Sequence, residues 1–256
     1  MDKKQFINSI NVEDKTVLSS IYDKMNLCEK VGKTVYGNEF YPPIIWNQIS
    51  DLSREFDFNV YSFGIFEEAE RRILVFSNSE VYDYPVKLIK INYNSKFSKL
   101  GHRDFLGALM SLGIKREKFG DMIVKDDSCY IAAFIDICDI VKNSLVSIGK
   151  CSCKVEILDF NISDIPKVEF QEVAINTNSL RLDCICAAIC NISRSKADEI
   201  IASGKALVNY NEVKEKDKHI EPQSIITFRG YGKYKLDKII GETQRGRIKV
   251  VIKKYI

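Results

Sequence analysis

The 256-residue sequence predicts an α+β protein in three parts. Apolar spacing switches repeatedly between a period of 3.6, which marks helices, and a period of 2, which marks half-buried strands. The middle of the chain orders these runs as β-α-β-β-α-β, the ferredoxin-like arrangement. The last eighty residues place two short helical patterns ahead of a series of strands and carry most of the excess basic charge. The expected divisions are an N-terminal helical and hairpin region over 1–80, a ferredoxin-like domain over 81–160 and a C-terminal domain over 177–256.

In the first part, Leu18, Ile21, Tyr22 and Met25 recur at helical spacing. Tyr41-Pro42-Pro43 interrupts the chain, and 44–56 reads as a second helix that carries Trp46, the single tryptophan. Residues 60–66 and 71–76 are β-rich. The polar stretch 67–70 suits a hairpin connection, although it lacks an Asn-Gly or Asp-Gly pair.

In the second part, 86–93 alternates as a strand and 102–112 is helical, with Gly113 as its stop. Two strands, 121–124 and 129–134, flank the turn Lys125-Asp126-Asp127-Ser128. Residues 135–148 are apolar at helical spacing up to Gly149, and 151–158 is the last strand. The paired aromatics with which common single-strand RNA readers stack bases are missing, so Tyr130 and Phe134 read as core or edge residues. Residues 161–178 read as a connector with one short strand near 168–173.

In the third part, Ser179 is the expected N-cap of a helix over 180–190, with Leu182, Ile185, Cys186 and Ile189 on its buried face. Ser193 caps a second helix with Arg194 and Lys196 in its first turn. Cations there oppose the helix dipole by about 0.3–1 kcal/mol each. Retaining them suits an anionic partner, and phosphate fits best. The competing reading pairs Arg194 with Asp198 or Asp183. Gly204 ends the helix, 206–210 is a strand, Val213 begins its return, and 225–228, 233–240 and 249–252 complete the sheet. Arg229-Gly230-Tyr231-Gly232-Lys233-Tyr234 lacks the third glycine and following helix of a nucleotide-binding loop. Its glycines suit a bulge or a close approach of backbone to RNA.

Charge supports the same direction. From Thr177 onward there are 16 lysines and arginines against 9 aspartates and glutamates, whereas the preceding residues hold 22 against 26. From Arg229 the balance is 9 against 2. Such segregation points to a polyanion partner. No apolar run reaches the roughly 18 residues that cross a bilayer, and the opening MDKKQF lacks a signal-peptide core, so the expected compartment is the cytoplasm.

Catalytic and metal signals are weak. His102 and His219 lie far apart, and no Ser/His/Asp order, Walker loop or GxSxG elbow is present. The eight cysteines do not suggest a disulfide framework. Cys151 and Cys153 alternate on a strand, and of Cys184, Cys186 and Cys190 only the last two share a helix face, so they read as small hydrophobes rather than zinc ligands. No cofactor or metal is expected.

The C-terminal residues Arg181, Leu182, Asp183, Ser193, Arg194, Ala197, Gly204, Val208, Asn209, Arg229 and Gly230 resemble the S4-like (αL motif) RNA-binding domain. Gln223-Ser224 stands where that module usually has Gly-Asp. Upstream, the segments 101–110 and 113–121 resemble the signature of bacterial YlmH-type RNA-binding proteins, which place it ahead of an S4-like domain. The resemblance implies non-catalytic binding of structured ribosomal RNA on the large ribosomal subunit near tRNA, in quality control or rescue, by a monomer. The candidate contacts are Arg181, Arg194, Lys196, Lys205, Arg229, Lys233 and Lys235, with a second patch of His102, Arg103, Lys115, Arg116 and Lys118. In the competing reading of that patch, His102 and Arg103 cap the helix and pair with Asp104 or Asp121. Two alternatives stand beside RNA binding. Arg181-Leu182-Asp183 resembles the catalytic aspartate motif of pseudouridine synthases, which would make an RNA-modifying enzyme, and a basic-tailed protein-interaction scaffold would show the same charge.

Overall fold

The chain divides near Lys167. The computed structural model describes residues 1–10, 12, 14–94, 99–158 and 165–255, and one unit is Met1–Lys167 while the other is Val168–Ile256. Together they form an α+β protein of seven helices and several antiparallel sheets among the described residues.

The first unit opens with α1 (Lys3–Ser9), whose start is a capping box of Asp2 and Gln5. Helix α2 (Lys15–Val31) is capped by Asp14 and stops at Gly32, which takes a left-handed φ of 65°. It buries Leu18, Ile21, Met25 and Cys28. After β1 (Val35–Tyr36), Pro42 and Pro43 start α3 (Pro43–Asp51) where a missing N–H costs nothing. A 3-10 turn, Leu52–Glu55, closes this segment. Strands β2 (Asn59–Phe63) and β3 (Ile73–Ser77) complete a sheet of order β1-β3-β2. The longer loop between them tucks Gly64 against Ala69, and Trp46 donates its indole N–H to the Glu70 carbonyl at 2.7 Å.

The same unit continues with β4 (Val86–Tyr93), α4 (His102–Ser111), β5 (Phe119–Lys125), β6 (Ser128–Phe134), α5 (Ile135–Ser144), β7 (Ser147–Ile148) and β8 (Cys151–Leu158). The sheet order is β5-β6-β4-β8-β7 with every neighbour antiparallel. Four of these strands make the split-βαβ pattern, and β7 adds an edge. Ile89, Ile91, Phe105, Leu109, Ile137 and Val141 join one buried cluster, with Tyr93 edge-on to Phe105 at 5.5 Å. The helix expected over 135–148 ends at Ser144. Leu145 is already extended, and Ser147–Ile148 pairs back onto Ser152 and Cys151 across the Gly149 turn. Ile137, Val141, Leu145 and Ile148 keep helical spacing through this break, so periodicity could not reveal it.

The second unit consists of β9 (Phe170–Thr177), α6 (Leu182–Cys190), α7 (Arg194–Ala202), β10 (Ala206–Val208), β11 (Asn211–Glu212), β12 (Ile225–Phe228), β13 (Gly232–Glu242) and β14 (Ile248–Tyr255). They form a sheet of order β11-β10-β12-β13-β14-β9, with Leu182, Ile185, Ala197 and Ile201 packed on Ile226, Leu236, Val250 and Ile252. Three expectations are corrected here. Residues 170–177, read mostly as connector, are a full strand on β14. The return from β10 begins at Asn211 rather than Val213, because Asn209 and Tyr210 both adopt positive φ (46° and 68°) in a two-residue turn. Arg181 rather than Ser179 occupies the α6 N-cap, and Ser179 Oγ accepts from the Arg181 N–H at 3.4 Å.

Candidate nucleic-acid interface

Asp183 organises the starts of α6 and α7. Its carboxylate is fully buried, yet it accepts from Arg181 Nε and Nη2 at 3.2 and 3.3 Å, from the Cys184 N–H at 2.9 Å, and from Arg194 Nη2. Burial pushes this carboxyl up. The hydrogen bonds from Arg194, Arg181 and Cys184 outweigh burial and hold it below the usual carboxylate range. Both guanidinium groups still reach solvent, with side-chain exposures of 40% for Arg181 and 57% for Arg194. One buried negative charge therefore fixes two half-exposed positive ones, leaving a net positive, preorganised fork.

The two helix starts differ in what else they offer. In α6, the N–H groups of Leu182 and Asp183 are taken by the carbonyls of Lys218 and Lys216, each at 2.9 Å. That helix presents side chains, not free backbone donors. In α7, Ser193 Oγ accepts from the Lys196 N–H at 3.2 Å. No partner among the described residues meets the N–H groups of Arg194 and Ser195. The α7 start thus keeps both the donors and the dipole that favour phosphate.

The other expected contacts of this unit fall into two groups. Lys196 is exposed and bonds Glu199 at 2.6 Å, which raises its pKa, and Tyr231 is close enough to act on it electrostatically. Lys205 and Arg229 are exposed and joined by a backbone hydrogen bond of 2.9 Å from the Arg229 N–H. Lys233 and Lys235 alternate with buried Tyr234 and Leu236, so they occupy the sheet face turned away from α6 and α7. Lys233 Nζ lies over the rings of Tyr255 and Tyr210, at 4.3 and 4.9 Å from their centroids.

In the first unit, the five expected residues are not equivalent. Arg116 is half-buried and sends its guanidinium to the Phe119 and Gly120 carbonyls, at 2.6 and 3.3 Å. Beside it, Arg71 donates to the Phe40 carbonyl at 2.7 Å, and Asp121 accepts from the Arg71 N–H at 3.0 Å. Burial lowers the pKa of both arginines and raises that of Asp121. This cluster fastens the 64–72 loop to β5. Lys118 pairs with Asp136 at 2.6 Å and lies over the Phe134 ring. His102 Nε2 is 2.7 Å from the Met122 carbonyl. Asp104 caps the Gly101 N–H at 2.8 Å instead of pairing with Arg103. Arg103 and Lys115 are exposed without a side-chain partner among the described residues.

Among the described residues, no group of three or more His, Cys, Asp and Glu is placed to hold a metal ion. Among the described residues, no helix is long and apolar enough to cross a membrane.

These basic surfaces suit a polyanionic partner, and comparison with known proteins gives the class. Residues 79–162 match the family model described as "Putative RNA-binding domain in YlmH". The chain is 28% identical over 210 residues to the ribosome-associated protein quality control protein P2 of Bacillus subtilis (strain 168), covering 80% of this chain and 82% of that relative. It also shares a fold with the cell division protein ylmH from Streptococcus pneumoniae, at 22% identity and a TM-score of 0.51, over 61% of this chain and 96% of that one. The chain is thus similar to YlmH-type proteins, and residues 79–162 to their RNA-binding domain.

Proposed function

We propose that this chain is a non-catalytic, monomeric, cytoplasmic protein that binds structured ribosomal RNA on the large ribosomal subunit near tRNA, in ribosome-associated quality control. The carrying observation is the fork of Arg181 and Arg194 on buried Asp183, at the starts of two adjacent helices. The relative's name, a ribosome-associated quality control protein, supports the ribosomal setting. The C-terminal unit is read as an S4-like domain in which Arg181, Arg194, Lys196, Lys205 and Arg229 contact the phosphate backbone. Recognition then rests on RNA shape and phosphate position, because the edges of A-form duplex bases are poorly readable.

The enzymatic alternative is disfavoured by the same carboxylate. A catalytic aspartate must reach a substrate atom, whereas Asp183 is buried and its oxygens are occupied by two arginines and a backbone N–H. The test is filter binding to ribosomal RNA over a salt series. Engagement of about five phosphates gives a log–log slope of about −3.5 to −4.5. A flat slope would favour a protein scaffold. Arg181→Glu with Arg194→Glu is expected to weaken binding strongly in a folded protein, and unchanged binding would refute the assigned face.

A further inference from the structure

The β13–β14 hairpin leaves its own core. Every residue from 238 to 247 except Thr243 is exposed, including Ile239 at 45% and Ile240 at 51%. The two are adjacent, and Lys238 precedes them. The charges on this arm are one-sided: Lys238, Arg245, Arg247 and Lys249 stand against Glu242 alone. Asp237 sits at the base and pairs with Lys253 at 3.0 Å.

Arg245, Arg247 and Lys249 contrast with the fork at the helix starts. Arg181 and Arg194 share a carboxylate, and Lys196 has Glu199. No ion pair or side-chain hydrogen bond engages Arg245, Arg247 or Lys249 among the described residues. Lys249 and Lys253 share a face, because Ile248, Val250 and Ile252 take the other.

The arm is also preorganised. Its turn is closed by bonds from the Thr243 N–H to the Arg247 carbonyl at 2.7 Å and from the Gly246 N–H to the Thr243 carbonyl at 2.9 Å. The Arg247 N–H donates to Thr243 Oγ1 at 3.0 Å. Gly246 supplies the left-handed φ of 70° that the turn needs. Register shifts between Leu236 and Lys238 and between Ile239 and Gly241 twist the strand at the point where it leaves the core.

We propose that the β13–β14 hairpin is a second RNA-contacting arm, in which Arg245, Arg247 and Lys249 engage phosphates while Ile239 and Ile240 lie against ribose or base. The inference rests on the RNA-binding reading above and adds a contact surface separate from the α6 and α7 starts. Ile239 lies opposite Val250, on the face away from Lys249, so a nucleic-acid groove that admits the hairpin meets apolar side chains on one face and unneutralised cations on the other and at the tip.

The experiment compares four forms of the full chain on ribosomal RNA over a salt series. They are the wild type, Arg181→Glu/Arg194→Glu, Arg245→Ala/Arg247→Ala/Lys249→Ala, and the charge-keeping Arg245→Lys/Arg247→Lys. Thermal melting checks that each is folded. With the arm's three contacts added to the five at the helix starts, the wild-type slope becomes about −5.5 to −7; loss of the three should reduce its magnitude by about 2–3, with at least a tenfold loss of affinity at moderate salt, and the lysine form should keep the wild-type slope. Wild-type binding that the fork variant weakens and the triple variant leaves unchanged overturns the arm alone. Wild-type binding with no salt dependence overturns the RNA reading and the arm with it. If the triple variant binds free RNA normally but loses whole large subunits, the arm docks on protein and the proposal is wrong.

Discussion

A carboxylate buried between two arginines stabilises a fold only while it stays ionised. Asp183 is held below the usual carboxylate range in the folded unit, so it binds its proton less readily there than in the unfolded chain. Its contribution is full above the unfolded value of about 3.9, and it is lost as pH falls through the lower, folded value. Asp183→Asn keeps the shape but removes the charge. It should cost about 1–3 kcal/mol at pH 7, below the cost of breaking a fully buried pair because both arginines can hydrate. It should also flatten the loss of stability as pH falls below the unfolded carboxylate value of about 3.9. Urea titrations of both proteins at several pH values test this, and parallel curves would show that Asp183 is not the group responsible.

Gln223 makes a different residue-scale test. It adopts φ 70°, which side chains other than glycine's rarely favour, while its N–H bonds the Leu236 carbonyl at 2.6 Å and its Nε2 bonds the Asp237 carbonyl at 2.7 Å. Alanine at this position loses the side-chain bond and keeps the strain, whereas glycine loses the bond and relieves the strain. Gln223→Gly should therefore be more stable than Gln223→Ala by about 0.5–1 kcal/mol, the reverse of their order in a helix. Denaturation midpoints decide it. The residue's identity did not announce the conformation; in the sequence Gln223-Ser224 stood only as a departure from the Gly-Asp turn of the module it resembles.

At the scale of elements, the readable parts of the sequence were those where burial and periodicity coincide. Strand β4 alternates buried and partly exposed positions over most of its length, and its ends fall where the pattern ends. Strand β9 was less legible because it is an edge, with Glu172, Val173 and Ala174 exposed in succession. Its pairing is fixed by β14, eighty residues later. The Asp183 fork was half legible: Asp183 or Asp198 could have partnered Arg194, and only the packing of α6 on α7 selects between them. Gly120 shows a constraint the sequence hides altogether. A Cβ there would lie 2.8 Å from Phe40 Cε1 and 2.9 Å from Ala132 Cβ, and Phe40 is itself locked edge-on against Phe134 at 5.2 Å. Gly120→Ala should cost about 1–3 kcal/mol through overpacking. The loss should shrink in a Phe40→Leu background, because the two sites share one space. Additive losses in thermal melts would mean that Phe40 is not what the new methyl meets.

For the whole molecule, the charge split visible in the composition matches a division of material between the two units, but composition could not say where the second begins. The answer lies in β9. Eight register pairs join it to β14, Ile175 packs against the core, and Phe170 meets the Tyr255 ring edge-on at 4.9 Å. A fragment of residues 168–256 should therefore unfold cooperatively and retain the salt-dependent RNA binding ascribed to this unit. A fragment of 178–256 keeps α6, α7 and every assigned contact of this unit, yet it uncovers the length of β14 and leaves a hydrophobic edge open to pairing with other chains. It should be less stable by about 1–3 kcal/mol, since it loses the ladder to β14 together with part-buried Ile175 and buried Thr177. It should also self-associate. Sedimentation and urea unfolding of the two fragments separate the cases: equal stability and a monomeric shorter fragment would show that β9 is an accessory strand and that the domain starts with the helices.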